Sequence, residues 1–125
     1  MAIWWDKQYP YVARLHVPTI TLWQEYDAVI DEFVIMLKAV SYSVDIIATR
    51  ETEYQKAGGT PHLQRAMQLI LALPHLNRIV TVQPPGRTFA NIVFRSSVRL
   101  QNEAMQQKFL YADSLASAYK LLSHG

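Results

Sequence analysis

The chain has 125 residues, half of them apolar and 18% charged, with a net charge of +2. That is enough apolar chain for a single domain, residues 1–125, to bury about two-thirds of its unfolded surface, and too much for a disordered one. The absence of cysteine excludes disulfides, thiolate metal sites and a thiol nucleophile, and the small charge leaves no electrostatic footprint for nucleic acid.

No apolar run reaches the ~18 residues of a membrane span, and the opening residues lack a basic-then-apolar leader pattern, so the expectation is a cytoplasmic protein without membrane contact. Ala2–Asp6 opens with Ile3, Trp4 and Trp5, a short aromatic strand. Tyr11–Val17 alternates, with Tyr11, Ala13, Leu15 and Val17 opposite Val12, Arg14 and His16, so the two runs predict a hairpin that Pro18 ends. Thr21 with Gln24 has the spacing of a capping box. Leu22, Tyr26, Val29, Ile30, Phe33, Leu37 and Val40 then trace one helical face, with acidic residues early and Lys38 late.

Ser43–Thr49 is the stretch around which the rest is arranged, a β-branched strand between two helical patterns. Val44, Ile46 and Ala48 fall on one side and Asp45, Ile47 and Thr49 on the other. Asp45 interrupts what should be an unbroken apolar run, which predicts that its face is the less buried of the two. Arg14 and His16 repeat that pattern on the preceding strand, and Arg14 is placed to pair with Asp45 across the ladder. Gly58-Gly59 ends a polar loop, Thr60 is the expected cap and Pro61 the first residue of the next helix, with Leu63, Met67, Ile70 and Leu71 inward. Arg78–Gln83 reads as a strand, Pro84-Pro85-Gly86 as a rigid turn, and Thr88 as the cap of a helix running to about Met105, with Phe89, Ile92, Val93 and Leu100 inward. Phe109–Ala112 is a last short strand. Asp113 or Ser114 caps a final helix in which Leu115, Ala118, Tyr119 and Leu122 share a face.

This order of elements, their lengths, and the ending Phe109-Leu-Tyr-Ala-Asp-Ser-Leu-Ala-Ser-Ala-Tyr-Lys-Leu-Leu resemble the STAS domain, the SpoIIAA-type fold of anti-sigma-factor antagonists. The resemblance covers nearly the whole chain. It implies an α/β superhelix with a mixed four- to five-stranded sheet, an N-terminal hairpin, strands in sequential order and the helices mainly on one face. It also implies a partner surface that includes the start of the helix after the central strand. Regulatory members carry a phosphorylated serine there in an Asp-Ser-Ser-Gly-like stretch. This chain has Lys56-Ala57-Gly58-Gly59-Thr60-Pro61, without the acidic residue or the serine.

The function expected is that of a non-enzymatic interaction or small-ligand-sensing module, with no cofactor and either a protein partner or a small anionic ligand. Loops that follow parallel strands emerge at one end of the sheet, where ligands of open α/β sheets bind, which makes Thr49, Arg50, Thr60 and Arg87 the candidate binding residues. Two alternatives come from other classes. One is a small enzyme in the same crevice, using Asp45, Thr49, Thr60 or Arg87. The other is a homodimer through the aromatic edge of Trp4, Trp5 and Tyr11, which no Lys or Pro guards. His16, His62, His75 and His124 are too dispersed for a metal site, no catalytic triad can be assembled, and Arg87, Arg95 and Arg99 read as a solvated helix face.

Overall fold

The computed structural model describes residues 3–18, 22–51, 57–82, 99 and 103–123. Five strands form one mixed sheet in the order β1-β2-β3-β4-β5. They are β1 (Ile3–Trp5), β2 (Val12–Val17), β3 (Val44–Arg50), β4 (Leu76–Val82) and β5 (Phe109–Ala112). β1 runs antiparallel to β2 through the expected hairpin, with Trp4 opposite Arg14, and the remaining pairs are parallel. The helices are α1 (Trp23–Lys38), α2 (Thr60–Leu71), the short α3 (Glu103–Gln106) and α4 (Leu115–Ser123). No described helix is long and apolar enough to cross a membrane.

The alternation along the strands sorts the core into two layers. Ala13, Leu15, Val44, Ile46, Ile79 and Phe109 face α1 and α2, which answer with Ile30, Phe33, Val34, Leu37, Ala66, Met67, Ile70 and Leu71. Val12, Ile47, Val80 and Ala112 face the other way, against Ala118 and Leu122 of α4. The two long helices therefore share one face, and among the described helices only the nine-residue α4 crosses the second.

Several details depart from the sequence reading. Asp45 is 2% exposed and Arg14 9%, so the polar alternation does not mark a solvated face. It marks polar groups that are buried and paired. Arg14 and Asp45 do not pair with each other, because the parallel register sets Val12 beside Asp45 and Arg14 beside Ile47. The α1 stripe keeps Ile30, Phe33 and Leu37 buried, with Tyr26, Val29 and Val40 packed on the same cluster, and differs at its start. Trp23 is buried and Leu22 is 53% exposed at the cap position, where it offers no side-chain acceptor. Thr60 is the first residue of α2 rather than its cap, because Gly58 turns the chain at φ +80° and Gly59 then takes the cap position, its carbonyl accepting from the Leu63 amide at 2.9 Å. A left-handed φ of this kind favours glycine. Thr21, the Pro84-Pro85-Gly86 turn, Thr88, Phe89, Ile92, Val93, Arg95, Leu100 and His124 lie outside the described residues.

Candidate functional site

Parallel strands direct their carboxyl ends, and the amino-terminal turns of the helices that follow, to one end of the sheet. Three of the four candidate binding residues are placed there. Thr49 and Arg50 end β3, both half-buried, and Thr60 opens α2, exposed. Arg87 lies outside the described residues. Thr49 meets a residue the sequence reading had set aside: its Oγ1 is 2.8 Å from Nδ1 of His16, its register partner on β2.

Beside Thr60 the first turns of α1 and α2 are clamped together. The Trp23 indole N–H donates to the Ala57 carbonyl at 3.0 Å, tying α1 to the turn before α2. His62 lies flat on that indole, with ring centroids 5.3 Å apart and planes 7° apart. Its Nδ1 is 2.8 Å from Asp27 Oδ2, so this nitrogen carries the proton and donates it to the carboxylate. One turn further along both helices, Arg65 donates to Asp31 at 2.6 Å and lies 3.7 Å from Asp27 Oδ1. Burial, with the Asp27 charge beside it, pushes the Tyr26 phenol up.

None of Trp23, Asp27 or His62 was named as a site residue from the sequence. A signal was nevertheless present. Asp27 and Asp31 are four apart on one predicted helix, and His62 and Arg65 are three apart on the next, which is the spacing of complementary stripes on packed helices.

The second face holds a different polar group of residues, under α4. Asp45 Oδ1 accepts from Asn77 Nδ2 at 2.9 Å and from Arg78 Nε at 3.3 Å, and its Oδ2 accepts from Arg78 Nη2 at 3.1 Å. The register shift at Val44/Asp45 leaves Asn77 as the extra residue on β4, and its amide is aimed at Asp45. Arg78 also donates to the Leu122 carbonyl at 3.2 Å, holding the end of α4. Nearer the N-terminus, the Tyr119 hydroxyl donates to Asp6 Oδ2 and accepts from Arg14 Nη1 at 2.8 Å. Burial alone would raise the Asp6 carboxyl. The Tyr119 hydroxyl, the amides of Gln8 and Tyr9 and the Arg14 charge outweigh it and hold Asp6 below the ordinary carboxylate range. Burial and the bond to Asp6 push the Tyr119 phenol up, against the pull of Arg14.

The aromatic edge is divided between the faces. Trp5 turns toward the α1 layer and meets the Tyr42 ring at 6.0 Å, whereas Trp4 turns to the second face, under the Arg14 guanidinium, and is 36% exposed. Tyr11 is 38% exposed beside Tyr9. Among the described residues no group of three or more His, Asp or Glu side chains could hold a metal ion.

Comparison with known proteins gives no match to any family model, curated protein or solved structure.

Proposed function

We propose that the chain is a non-enzymatic, STAS-like interaction or ligand-sensing module, and that its partner surface is the carboxyl end of the sheet around Thr49, Arg50, Thr60 and Arg87. One observation carries this reading: the Trp23–His62–Asp27 clamp fixes the first turn of α2 against α1 and leaves Thr60 exposed at its tip. A rigid turn with an exposed hydroxyl and no acidic side chain suits recognition of an acidic group on a partner, since the helix start favours negative charge. Within the clamp the Trp23 indole N–H and His62 Nδ1 are both engaged, which holds the turn in place.

The test is cross-linking from Thr60 in cells of the source, followed by calorimetry of the captured partner with purified protein. Arg50→Ala and Thr60→Glu should each weaken binding at least about tenfold, the order of a lost interface contact. Full binding by both variants, with unchanged circular dichroism, would move the surface elsewhere.

A second reading, a small enzyme at the same end, draws on the imidazole of His62. A carboxylate at Nδ1 orients the ring and leaves Nε2 without a partner among the described residues, the arrangement of a general base. A substrate-independent check is the reactivity of His62 toward diethyl pyrocarbonate. Reaction no faster than at His16 and His75 would remove this reading.

A further inference from the structure

Arg14 sits on the second sheet face, nine-tenths buried. Among the described residues, only one of its three guanidinium nitrogens meets a hydrogen-bond partner. Nη1 donates to the Tyr119 oxygen at 2.8 Å and is 3.7 Å from Asp6 Oδ2, too far for a hydrogen bond. Asp6 has little left to offer, because its carboxylate already accepts from the Tyr119 hydroxyl and the amides of Gln8 and Tyr9. Among the described residues Nε is buried without an acceptor, and Nη2 makes no hydrogen bond. The contrast with Arg78 is direct, since both Nε and Nη2 of that residue are bonded to Asp45.

Nε and Nη2 form the edge of a guanidinium whose N–H bonds run side by side, the edge that grips a carboxylate or phosphate at two points. Aromatic rings hold the guanidinium plane, Trp4 at 5.0 Å and Tyr119 at 5.8 Å, but they interact with its face and cannot satisfy its edge. A charged donor left buried without an acceptor is costly, more so than a neutral one. Two residues along β2, about 7 Å away at the rise of a strand, His16 lies on the same face, and Thr49 is bonded to it.

We propose that the free edge of Arg14 is the seat of a small oxyanion, a carboxylate or phosphate group, with the half-exposed Trp4 indole as the wall that moves to admit it and the His16–Thr49 pair reaching the rest of the ligand. This site lies on the opposite layer from the Trp23–His62 clamp and stands whether or not α2 binds a protein.

The test uses the whole chain, labelled with nitrogen-15, and follows the side-chain Nε–H signals of the arginines by NMR. Separate titrations use inorganic phosphate, sodium acetate, and sodium chloride at matched ionic strength. Arg14 Nε–H should shift and saturate with phosphate or acetate, the stronger arm naming the anion, while Arg78 Nε–H stays in place and chloride has no effect. Arg14→Lys keeps the charge without the fork and should abolish the saturable response. If that variant fails to fold, through-bond assignment of the wild-type signals identifies Arg14. No saturable shift in either anion arm, or equal shifts of Arg14 and Arg78, overturns the proposal.

Discussion

Asp45 and Ile46 are neighbours on β3, equally buried, and their side chains enter opposite layers of the molecule. Ile46 joins a broad apolar layer closed by two helices of 16 and 12 residues. Among the described residues, Asp45 enters a layer covered by one helix of nine, in which the apolar cluster is smaller and Asp6, Arg14, Asp45, Arg78 and Tyr119 are interleaved. A short helix with two buried side chains, Ala118 and Leu122, removes little apolar surface from water. Its orientation is set instead by hydrogen bonds at Tyr119 and at the Leu122 carbonyl. The difference teaches that one face of this sheet is stabilised by area and the other is specified by pairing. Substitutions should therefore behave differently on the two.

The largest effect is expected at Asp45. Asp45→Ala leaves the Arg78 guanidinium without its counter-charge in a buried layer and should cost about 3–5 kcal/mol, because breaking a buried pair strands a charge. Ile46→Ala should cost about 2–5 kcal/mol through its cavity. The two singles are thus alike, and the double variant separates them. Asp45→Leu with Arg78→Leu removes both charges and should recover most of the loss. Urea unfolding measures all three. A double variant as unstable as Asp45→Ala would break the distinction, since the layer would then depend on more than pairing.

Tyr119→Phe comes next, at about 1.5–3 kcal/mol for a hydroxyl bonded to two charged groups. Its pH profile is the sharper readout. The folded Asp6 carboxyl lies below its unfolded value, so its contribution is present above about pH 3.9 and is lost as pH falls through the folded value. The folded Tyr119 phenol lies above its unfolded value, so its contribution is present below about pH 10 and is lost as pH rises through the folded value. Removing the hydroxyl should flatten the acid limb of a stability-against-pH curve and reduce the alkaline limb. Part of the alkaline limb remains, because Tyr26 on the other face is also pushed up. An acid limb identical to that of the wild type would show that Tyr119 does not hold Asp6.

Gly58→Ala tests the turn that presents α2. At φ +80° any side chain is strained, and a methyl group there meets no atom within 4 Å, so the cost is purely conformational, about 1–2 kcal/mol. A melting temperature equal to that of the wild type would mean that the turn relaxes to another conformation.

How much of this was legible follows from the range of each interaction. The two-residue and 3.6-residue periods are local, so the strands, the long helices and the sorting of Ala13 and Leu15 from Val12 and Arg14 could be read directly. The partner of Arg14 could not be read, because it depends on a parallel register that places Arg14 beside Ile47 and on a helix more than a hundred residues away in the chain. The polarity of Asp45 was visible but its meaning was reversed. Alternation records which side a residue faces, and whether that side is wet depends on α4, whose docking no local pattern encodes. The position of Thr49, Arg50 and Thr60 at one end of the sheet followed from topology, since strand ends converge in any parallel sheet, whereas the Trp23–His62–Asp27 clamp needed the packing of α1 on α2.

The smallest effect is expected at the start of α4. Ser114 Oγ accepts from the Ser117 amide at 3.1 Å, and the Ala118 amide is bonded to the Ser114 carbonyl at 3.0 Å, the geometry of a capped first turn. On the other face α1 has no such device, because Leu22 offers no acceptor and the helix is held by packing. A nine-residue helix cannot sustain itself in water, and α4 has little packing to replace the cap. Ser114→Ala should therefore cost about 1 kcal/mol and Ser114→Gly only a few tenths. The loss should also be local. Hydrogen exchange of the α4 amides should accelerate while those of α1 and α2 keep their protection, because a helix pinned by pairing frays without unfolding the apolar layer behind the sheet. If exchange accelerates equally in all three helices, the two layers unfold as one unit, and the contrast between them is one of composition without a difference in cooperativity.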